Sequence, residues 1–215
     1  MDNYFYIKDN CRKGLVKYLE NACSNIPNIN NPNILDAGCG TGVPTLWLAE
    51  NLSGIITAID TDKKNIIYLQ QKIHHNNLQN RVKVLCTSFL DYKFDRDHFD
   101  IILAEGLLNI VGFETGFEKA IKILKKGGYF IIHDEYRDHN KKCKFIDENN
   151  CIIIYTLYLD ETIWWEEYYR HLEIEINRIA DTETFDLLKS DMEEIEYYRT
   201  DPSHFRSIYY VIKKI

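Results

Sequence analysis

Three glycines alternate with other residues directly after a short apolar run that ends in an acid. The segment is Ile34-Leu35-Asp36-Ala37-Gly38-Cys39-Gly40-Thr41-Gly42, and a helix start is expected behind it at Val43 and Pro44. Glycine lets a chain turn sharply and lets another molecule approach the backbone closely. A strand that runs into such a loop and then into a helix makes a site for a nucleotide-like ligand. The segment therefore predicts a bound small cofactor.

The spacing of this loop differs from the two common phosphate-binding loops. A dinucleotide fingerprint requires glycine or alanine where this chain has Val43, and no Gly-Lys-Ser/Thr follows as in a Walker loop. A carboxylate at Asp36 would repel a pyrophosphate, whereas it suits a ligand with a cationic amine. The loop therefore favours a phosphate-free cofactor.

A second acid, Asp60, stands at the end of the next predicted strand and is followed by Thr61. A carboxylate at a strand end can accept hydrogen bonds from both hydroxyls of a ribose. The alternative is that Asp60 only caps the helix that follows.

The pattern Asp36-x-Gly38-x-Gly40-Thr41-Gly42 resembles the first motif of the class I S-adenosylmethionine-dependent methyltransferases. The segment Leu124–Tyr129 is similar to the turn before the fifth strand of that family, with Lys126 in place of the usual proline. The resemblance covers residues 30–135 and implies S-adenosylmethionine as cofactor and S-adenosylhomocysteine as product. The cofactor contacts it implies are Asp36, Gly38, Cys39, Gly40, Thr41, Gly42, Asp60, Thr61 and Glu105.

The loop after the third predicted strand would hold the adenine in such a protein. The family often has an acid here, whereas this chain offers the hydroxyl of Thr87 or Ser88, with Phe89 against the ring. A hydroxyl can accept the hydrogen bond of the adenine amino group. The alternative is a loop serine beside a core phenylalanine.

Candidate catalytic residues are Glu105, just past a central strand, and His133 and Glu135 at the end of strand five. A base is needed only if the methyl acceptor must lose a proton. His133, Asp134 and Glu135 with Glu105 supply only part of a hard-oxygen ligand set for a divalent cation, so we expect no metal.

Four aromatic residues are candidates for the wall of an acceptor pocket: Tyr4, Tyr6, Tyr136 and Trp164. Aromatic faces attract cations, so such a wall suits a compact, partly apolar or amine-bearing acceptor. The alternative for each residue is ordinary packing.

The elements that position these residues alternate between strand and helix up to about residue 130, which predicts a parallel, doubly wound sheet. Together with the resemblance, this gives an α/β, Rossmann-like seven-stranded methyltransferase fold, mostly parallel with an antiparallel last strand. We expect one domain over 1–215, with an N-terminal helical lid segment (1–30), a cofactor-binding half (31–135) and an acceptor-side half (136–215). Predicted strands span 34–37, 55–59, 82–86, 99–104, 129–133, 151–159 and 205–212; predicted helices span 11–24, 44–51, 63–76 and 114–124, with two more in 161–199.

The composition of the 215 residues limits the partners. The net charge of −7 and the absence of long basic runs argue against nucleic acid. The six cysteines include no Cys-x-x-Cys pair, and neither a signal peptide nor a membrane span is visible, so we expect a cytoplasmic protein with no membrane partner. The oligomeric state is left open.

These observations predict an enzyme that transfers the methyl group of S-adenosylmethionine to a small-molecule acceptor by direct in-line displacement. Two alternatives remain. One is a nicotinamide-dependent oxidoreductase, and the other is a non-catalytic S-adenosylmethionine-binding accessory protein.

Overall fold

The computed structural model describes residues 2–179 and 182–215, and these form a single seven-stranded sheet flanked by helices. The strands are β1 (Asn33–Ala37), β2 (Ile55–Asp60), β3 (Val82–Cys86), β4 (Phe99–Glu105), β5 (Leu124–Glu135), β6 (Cys151–Leu159) and β7 (Ser207–Lys214). Their order across the sheet is β3-β2-β1-β4-β5-β7-β6.

The helices lie on both faces of this sheet. They are α1 (Asp2–Arg12), α2 (Val16–Cys23), α3 (Val43–Asn51), α4 (Lys63–His75), α5 (Leu108–Val111), α6 (Phe113–Ile123), α7 (His139–Glu148), α8 (Glu161–Trp164), α9 (Arg170–Ile176), α10 (Thr182–Leu187) and α11 (Lys189–Thr200). A π-helical turn, Trp165–Tyr169, joins α8 to α9, and 3₁₀ turns cover Lys13–Leu15 and Pro202–Phe205.

The direction of the strands confirms the predicted fold class. β1 pairs in parallel with β2 and β4, and the parallel ladder continues to β3 on one side and β5 on the other. β7 is antiparallel to both of its neighbours, β5 and β6. The sheet is therefore mostly parallel, with an antiparallel last strand.

The central strands are buried on both faces, which explains their continuous apolar sequences. Neighbouring residues of β1, Ile34 and Leu35, are both fully buried, and they belong to the two separate apolar clusters on opposite sides of the sheet. Helix α4 covers one face with Ile66, Leu69 and Ile73, the apolar series predicted from its helical spacing.

Several boundaries differ from the predicted ones. The helix expected over 11–24 is broken by the 3₁₀ turn at Lys13–Leu15, and a further helix, α1, precedes it. Strand β5 begins at Leu124 rather than at 129, because Leu124 pairs with Phe99 before the register shifts through the glycine pair. The last strand starts at 207 rather than 205, since Pro202–Phe205 forms a 3₁₀ turn. The first residue of the predicted lid segment, Met1, lies outside the described residues.

No helix within the described part of the chain is both long and apolar enough to cross a membrane.

Candidate active site

The carboxyl ends of the parallel strands meet at one edge of the sheet and border a cavity of about 510 Å³. Register brings Ala37 of β1 beside Ala104 of β4, and Glu105 beside His133 of β5. Ligands of open α/β sheets bind at this edge, where the strand order reverses. The sequence segments that follow the strands therefore converge on a single pocket.

The glycine loop forms one wall of this cavity through Gly38, Cys39, Gly40 and Thr41. Gly40 has a φ of +52°, and a Cβ added there would meet no atom within 4 Å. Gly42 has a φ of +85°, and a Cβ there would lie 2.2 Å from Cδ1 of Leu69. Gly40 thus leaves room for a ligand against the backbone, whereas Gly42 is required for packing on α4.

Asp36 lies under this loop and is 2% exposed. Its Oδ2 accepts a hydrogen bond of 2.6 Å from Oγ1 of Thr45, a residue of α3. Burial raises the pKa of Asp36 to about 7, although the Thr45 hydrogen bond opposes the shift. The carboxyl group that borders the cavity therefore exchanges its proton near neutral pH.

Asp60 connects the second strand to the glycine loop. Its Oδ2 accepts a hydrogen bond of 2.9 Å from the backbone N–H of Gly40, and its Oδ1 accepts one of 2.8 Å from Asp62. The helix cap is Asp62, which accepts from the N–H of Lys64. Asp60 is thus bound to the loop that borders the cavity, and the neighbouring Thr61 is exposed.

The predicted adenine loop lies outside this cavity. The backbone N–H of Thr87 donates to the carbonyl of Asp60, and Oγ of Ser88 accepts from the N–H of Leu90. Phe89 is 4% exposed and belongs to the apolar core. Contacts of Thr87, Ser88 and Phe89 with adenine stay a prediction.

Glu105 reaches the cavity from the end of β4, with 9% of its side chain exposed. Its Oε1 accepts a hydrogen bond of 2.5 Å from the hydroxyl of Tyr209, and its Oε2 lies 3.6 Å from Nη2 of Arg12. This pair could bind a zwitterionic amino-acid group, because the guanidinium of Arg12 attracts a carboxylate and the carboxylate of Glu105 attracts an amine.

His133 is held between aromatic rings at the end of β5. Its ring stacks on Tyr209, with centroids 4.2 Å apart, and on Trp164, at 5.9 Å. Its Nε2 lies 2.9 Å from Oγ of Ser207. Burial, with the charge of Arg12, lowers the pKa of His133 to about 3, so the imidazole is neutral at physiological pH.

The two acids after His133 have different environments. Asp134 is 4% exposed, and its Oδ2 lies 2.7 Å from Nζ of Lys142. Glu135 is more open, with 36% of its side chain exposed and Oε2 3.3 Å from Arg137. Glu105, His133 and Glu135, the three predicted catalytic residues, therefore border the same cavity.

The predicted acceptor pocket is only partly assembled from the expected aromatic residues. Trp164 borders the cavity, and Tyr4 borders a neighbouring space of about 500 Å³ that also touches Gly40 and Thr41. Tyr6 is 60% exposed and borders neither of these two spaces. Tyr136 borders neither space, and its ring packs against His139 and Tyr158.

Several residues of the cavity were missed by sequence reasoning. They are Arg12, Asn109, Tyr169, Glu194, Tyr197, His204, Phe205, Arg206 and Ser207. Most of them lie beyond residue 135, where the sequence resemblance ends, and only the tertiary fold brings them to the sheet edge. The acid-aromatic composition of 161–199 was the one signal present in the sequence.

Helix α1 packs against the glycine loop and contributes Arg12 to the lining of the cavity. Asp9 of this helix accepts a hydrogen bond from the hydroxyl of Thr41 and forms an ion pair with Lys72 of α4. Arg12, at the end of the same helix, faces Glu105. Asp9 is 7% exposed, which marks this contact as an interior one. Among residues 2–179 and 182–215, no cluster of three or more His, Cys, Asp or Glu side chains could hold a metal ion.

Residues 29–175 match the family model described as a methyltransferase domain. The chain belongs to this family. The cofactor of the family is S-adenosylmethionine, and both the fold and the glycine loop of this chain agree with that membership.

A curated relative and two solved structures illustrate the similarity. The ubiquinone/menaquinone biosynthesis C-methyltransferase UbiE of Geotalea daltonii is 31% identical over 105 residues, which is 47% of this chain and 45% of that protein. The cyclase SpnF has a TM-score of 0.78 at 15% identity, over 92% of this chain and 80% of that one. Geranyl diphosphate C-methyltransferase of Streptomyces coelicolor, with S-adenosyl-L-homocysteine bound, has a TM-score of 0.69 at 13% identity, over 93% and 79%.

The curated matches are partial, since each covers less than half of the relative's own length. The structural matches are too distant in sequence to indicate more than a shared fold. The acceptor must therefore be inferred from the cavity itself.

The residues at the sheet edge fit S-adenosylmethionine. Gly40 leaves open space beside its backbone, Asp60 is bound to the same loop, and Arg12 with Glu105 offers opposite charges for the amino-acid end. The cavity volume of about 510 Å³ lies within the range of small-molecule sites.

Proposed function

We propose that this protein transfers the methyl group of S-adenosylmethionine to a small-molecule acceptor by direct in-line displacement. The proposal rests mainly on the glycine loop, which has open space beside Gly40 and is hydrogen-bonded to Asp60. This loop borders a cavity that is also lined by aromatic residues. The cofactor supplies an electrophilic methyl group on its sulfonium.

The chain's own residues would align the reactants and exclude water. Asp60 would bind the ribose hydroxyls, and Arg12 with Glu105 would hold the amino-acid end. Helix α1, tied down by Asp9, would cover the loop from the solvent side. We accordingly propose that 1–30 is a lid segment, that 31–135 binds the cofactor and that 136–215 binds the acceptor within one domain.

The three candidate catalytic residues would have different roles. A group whose pKa is near 3 is a poor general base at neutral pH, so His133 would position the acceptor rather than take its proton. Glu105 is already engaged by Tyr209. Glu135 has the more exposed of the two carboxylates, with 36% of its side chain exposed against 9% for Glu105, and would pass a proton to solvent where the acceptor must lose one.

The acceptor is proposed to be a small molecule because the cavity is lined by acids and aromatic rings, with Arg12 and Arg206 as its arginines. The net charge of −7 gives a polyanion such as RNA no general attraction. A cytoplasmic location stays a prediction.

Calorimetry with S-adenosylhomocysteine tests the cofactor site. We expect Gly40→Val to abolish binding, because its side chain would fill the open space at the loop. Asp60→Ala should weaken binding by about 1.5–3 kcal/mol, the scale of hydrogen bonds to a charged group. Asp95→Ala, which removes an exposed acid elsewhere in the chain, is the matched control and should bind as wild type.

Two results would contradict the proposal. Stabilisation by NADH but not by S-adenosylhomocysteine in a thermal shift assay would favour an oxidoreductase. Tight cofactor binding with no label transferred to any compound in a broad acceptor screen would favour the accessory protein.

A further inference from the structure

Four aromatic residues form a continuous wall along the acceptor side of the cavity. Trp164 lies 6.0 Å from Tyr169, Tyr169 lies 5.5 Å from Phe205, and Phe205 lies 5.7 Å from Tyr197, measured between ring centroids. We call Trp164, Tyr169, Tyr197 and Phe205 the aromatic wall. His133 extends it toward the sheet by stacking on Trp164.

No lysine or arginine of the described residues forms a cation–π contact with the aromatic wall. Lys and Arg side chains do lie over other rings of this protein, such as Lys8 over Tyr4 and Arg199 over Trp165. Tyr169 is 1% exposed and serves mainly to hold its neighbours, so a ligand would contact the half-buried rings of Trp164 and Phe205 and the exposed ring of Tyr197.

A carboxylate, Glu194, stands at the same wall. Its Oε1 accepts a hydrogen bond of 2.8 Å from the hydroxyl of Tyr169, and the side chain borders the cavity while staying exposed. In the part of the chain that the structure describes, Glu194 has no Lys or Arg ion-pair partner. Its charge is oriented by Tyr169 but is not neutralised.

The two arginines of the cavity are already paired. Arg12 faces Glu105, and Arg206 donates two hydrogen bonds, of 2.7 and 3.0 Å, to the carboxylate of Glu161. His133 adds no positive charge, since burial lowers its pKa to about 3. An anionic acceptor would therefore find both arginines engaged, and it would face Glu194.

We infer that the acceptor is an amine, with its nitrogen bound against the aromatic wall and its positive charge facing Glu194. This inference rests on the proposed methyl transfer. Aromatic faces and a carboxylate attract ammonium groups, and the attraction grows when the group is desolvated. The same groups stabilise the positive charge that develops on nitrogen as it is methylated.

The proposed step balances as a simple displacement. The bound ammonium first releases one proton to water, either directly or through Glu135. The free nitrogen lone pair then forms a bond to the methyl carbon, and the carbon–sulfur bond breaks with its electron pair remaining on sulfur. The product nitrogen is again cationic, and S-adenosylhomocysteine is neutral at sulfur.

Binding of choline, measured by calorimetry with saturating S-adenosylhomocysteine, tests the inference without requiring turnover. Its neutral carbon analogue, 3,3-dimethylbutan-1-ol, has the same shape and no charge. We expect choline to bind at least about tenfold more tightly, which corresponds to about 1.4 kcal/mol. Equal affinity for the two compounds would overturn the inference.

Glu194→Gln should weaken choline binding about two- to fivefold, the scale of an exposed charge pair, because its amide oxygen can still accept the Tyr169 hydrogen bond but carries no charge. Affinity for S-adenosylhomocysteine should not change. Glu193→Gln removes a neighbouring exposed acid of α11 and should bind choline as wild type.

The possible failures are distinguishable. If S-adenosylhomocysteine does not bind, the proposed methyl transfer is refuted and the inference with it. If S-adenosylhomocysteine binds but choline does not, or if Glu194→Gln leaves choline affinity unchanged, only the amine acceptor is refuted. Transfer of labelled methyl to hydroxyl or carboxylate compounds and to no amine would have the same meaning.

Discussion

The pH dependence of stability should be governed near the site by two buried groups with opposite pKa shifts. His133 has a pKa lowered from 6.5 to about 3, chiefly by burial, so between these values the unfolded chain binds the extra proton. Lowering the pH in this window therefore destabilises the folded protein. The slope for one such group is about 1.4 kcal/mol per pH unit.

Asp36 acts in the opposite direction. Its pKa is raised from 3.8 to about 7 by burial, so between these values the folded protein binds the extra proton. Raising the pH in this window destabilises the folded protein by a similar slope. In the wild type the two contributions oppose each other between about pH 4 and 6.5.

His133→Gln should leave the effect of Asp36 on the pH dependence of stability unopposed. As the pH rises from 4 to 6, we expect the free energy of unfolding of the variant to fall by about 2–3 kcal/mol relative to wild type. Loss of the stacking on Trp164 and Tyr209 adds an offset that does not depend on pH. Asp36→Asn is the matched variant, and its free energy of unfolding should rise by about the same amount over this range.

Urea unfolding at pH 4, 5 and 6 measures these differences directly. Subtracting the wild-type curve removes the contributions of all other titrating groups. Parallel curves for His133→Gln and wild type would show that the histidine is protonated in the folded protein, contrary to its position between two rings.

Two substitutions near the loop give further tests. Gly42→Ala should lower the free energy of unfolding by about 1–3 kcal/mol, since its Cβ would lie 2.2 Å from Leu69 and the residue has a φ of +85°; an unchanged urea midpoint would contradict this. Thr45→Val should cost about 1–3 kcal/mol at pH 8, because it removes the hydrogen bond to the buried Asp36 carboxylate; the loss should shrink at pH 5, where Asp36 is protonated, and an equal loss at both pH values would refute the reasoning.

The parallel core was predictable because its signals are local. The run Ile34–Ala37 and the strand at 82–86 are short apolar segments between turn residues, and α4 repeats its apolar positions at helical spacing. Asp60 was singled out for its place at a strand end, and the structure ties it to Gly40.

The opposite wall was not predictable in the same way. Arg12, Glu194 and Ser207 meet at one cavity although they lie at the two ends of the chain, and no local pattern encodes that meeting. The prediction for Tyr6 and Tyr136 rests on residue type alone, which does not reveal that Tyr6 is exposed or that Tyr136 stacks on His139 outside the cavity.

The position of β7 has a consequence for the order in which the protein matures. β7 lies between β5 and β6 and, among the described residues, is the one strand that pairs with β6, yet it follows both in the chain. During synthesis, β6 therefore has no strand to pair with until residues 207–214 have left the ribosome. Ser207 begins that strand and contacts both His133 and Trp164. Addition of β7 thus completes both the sheet and the pocket. A chain that ends before β7 would lack both.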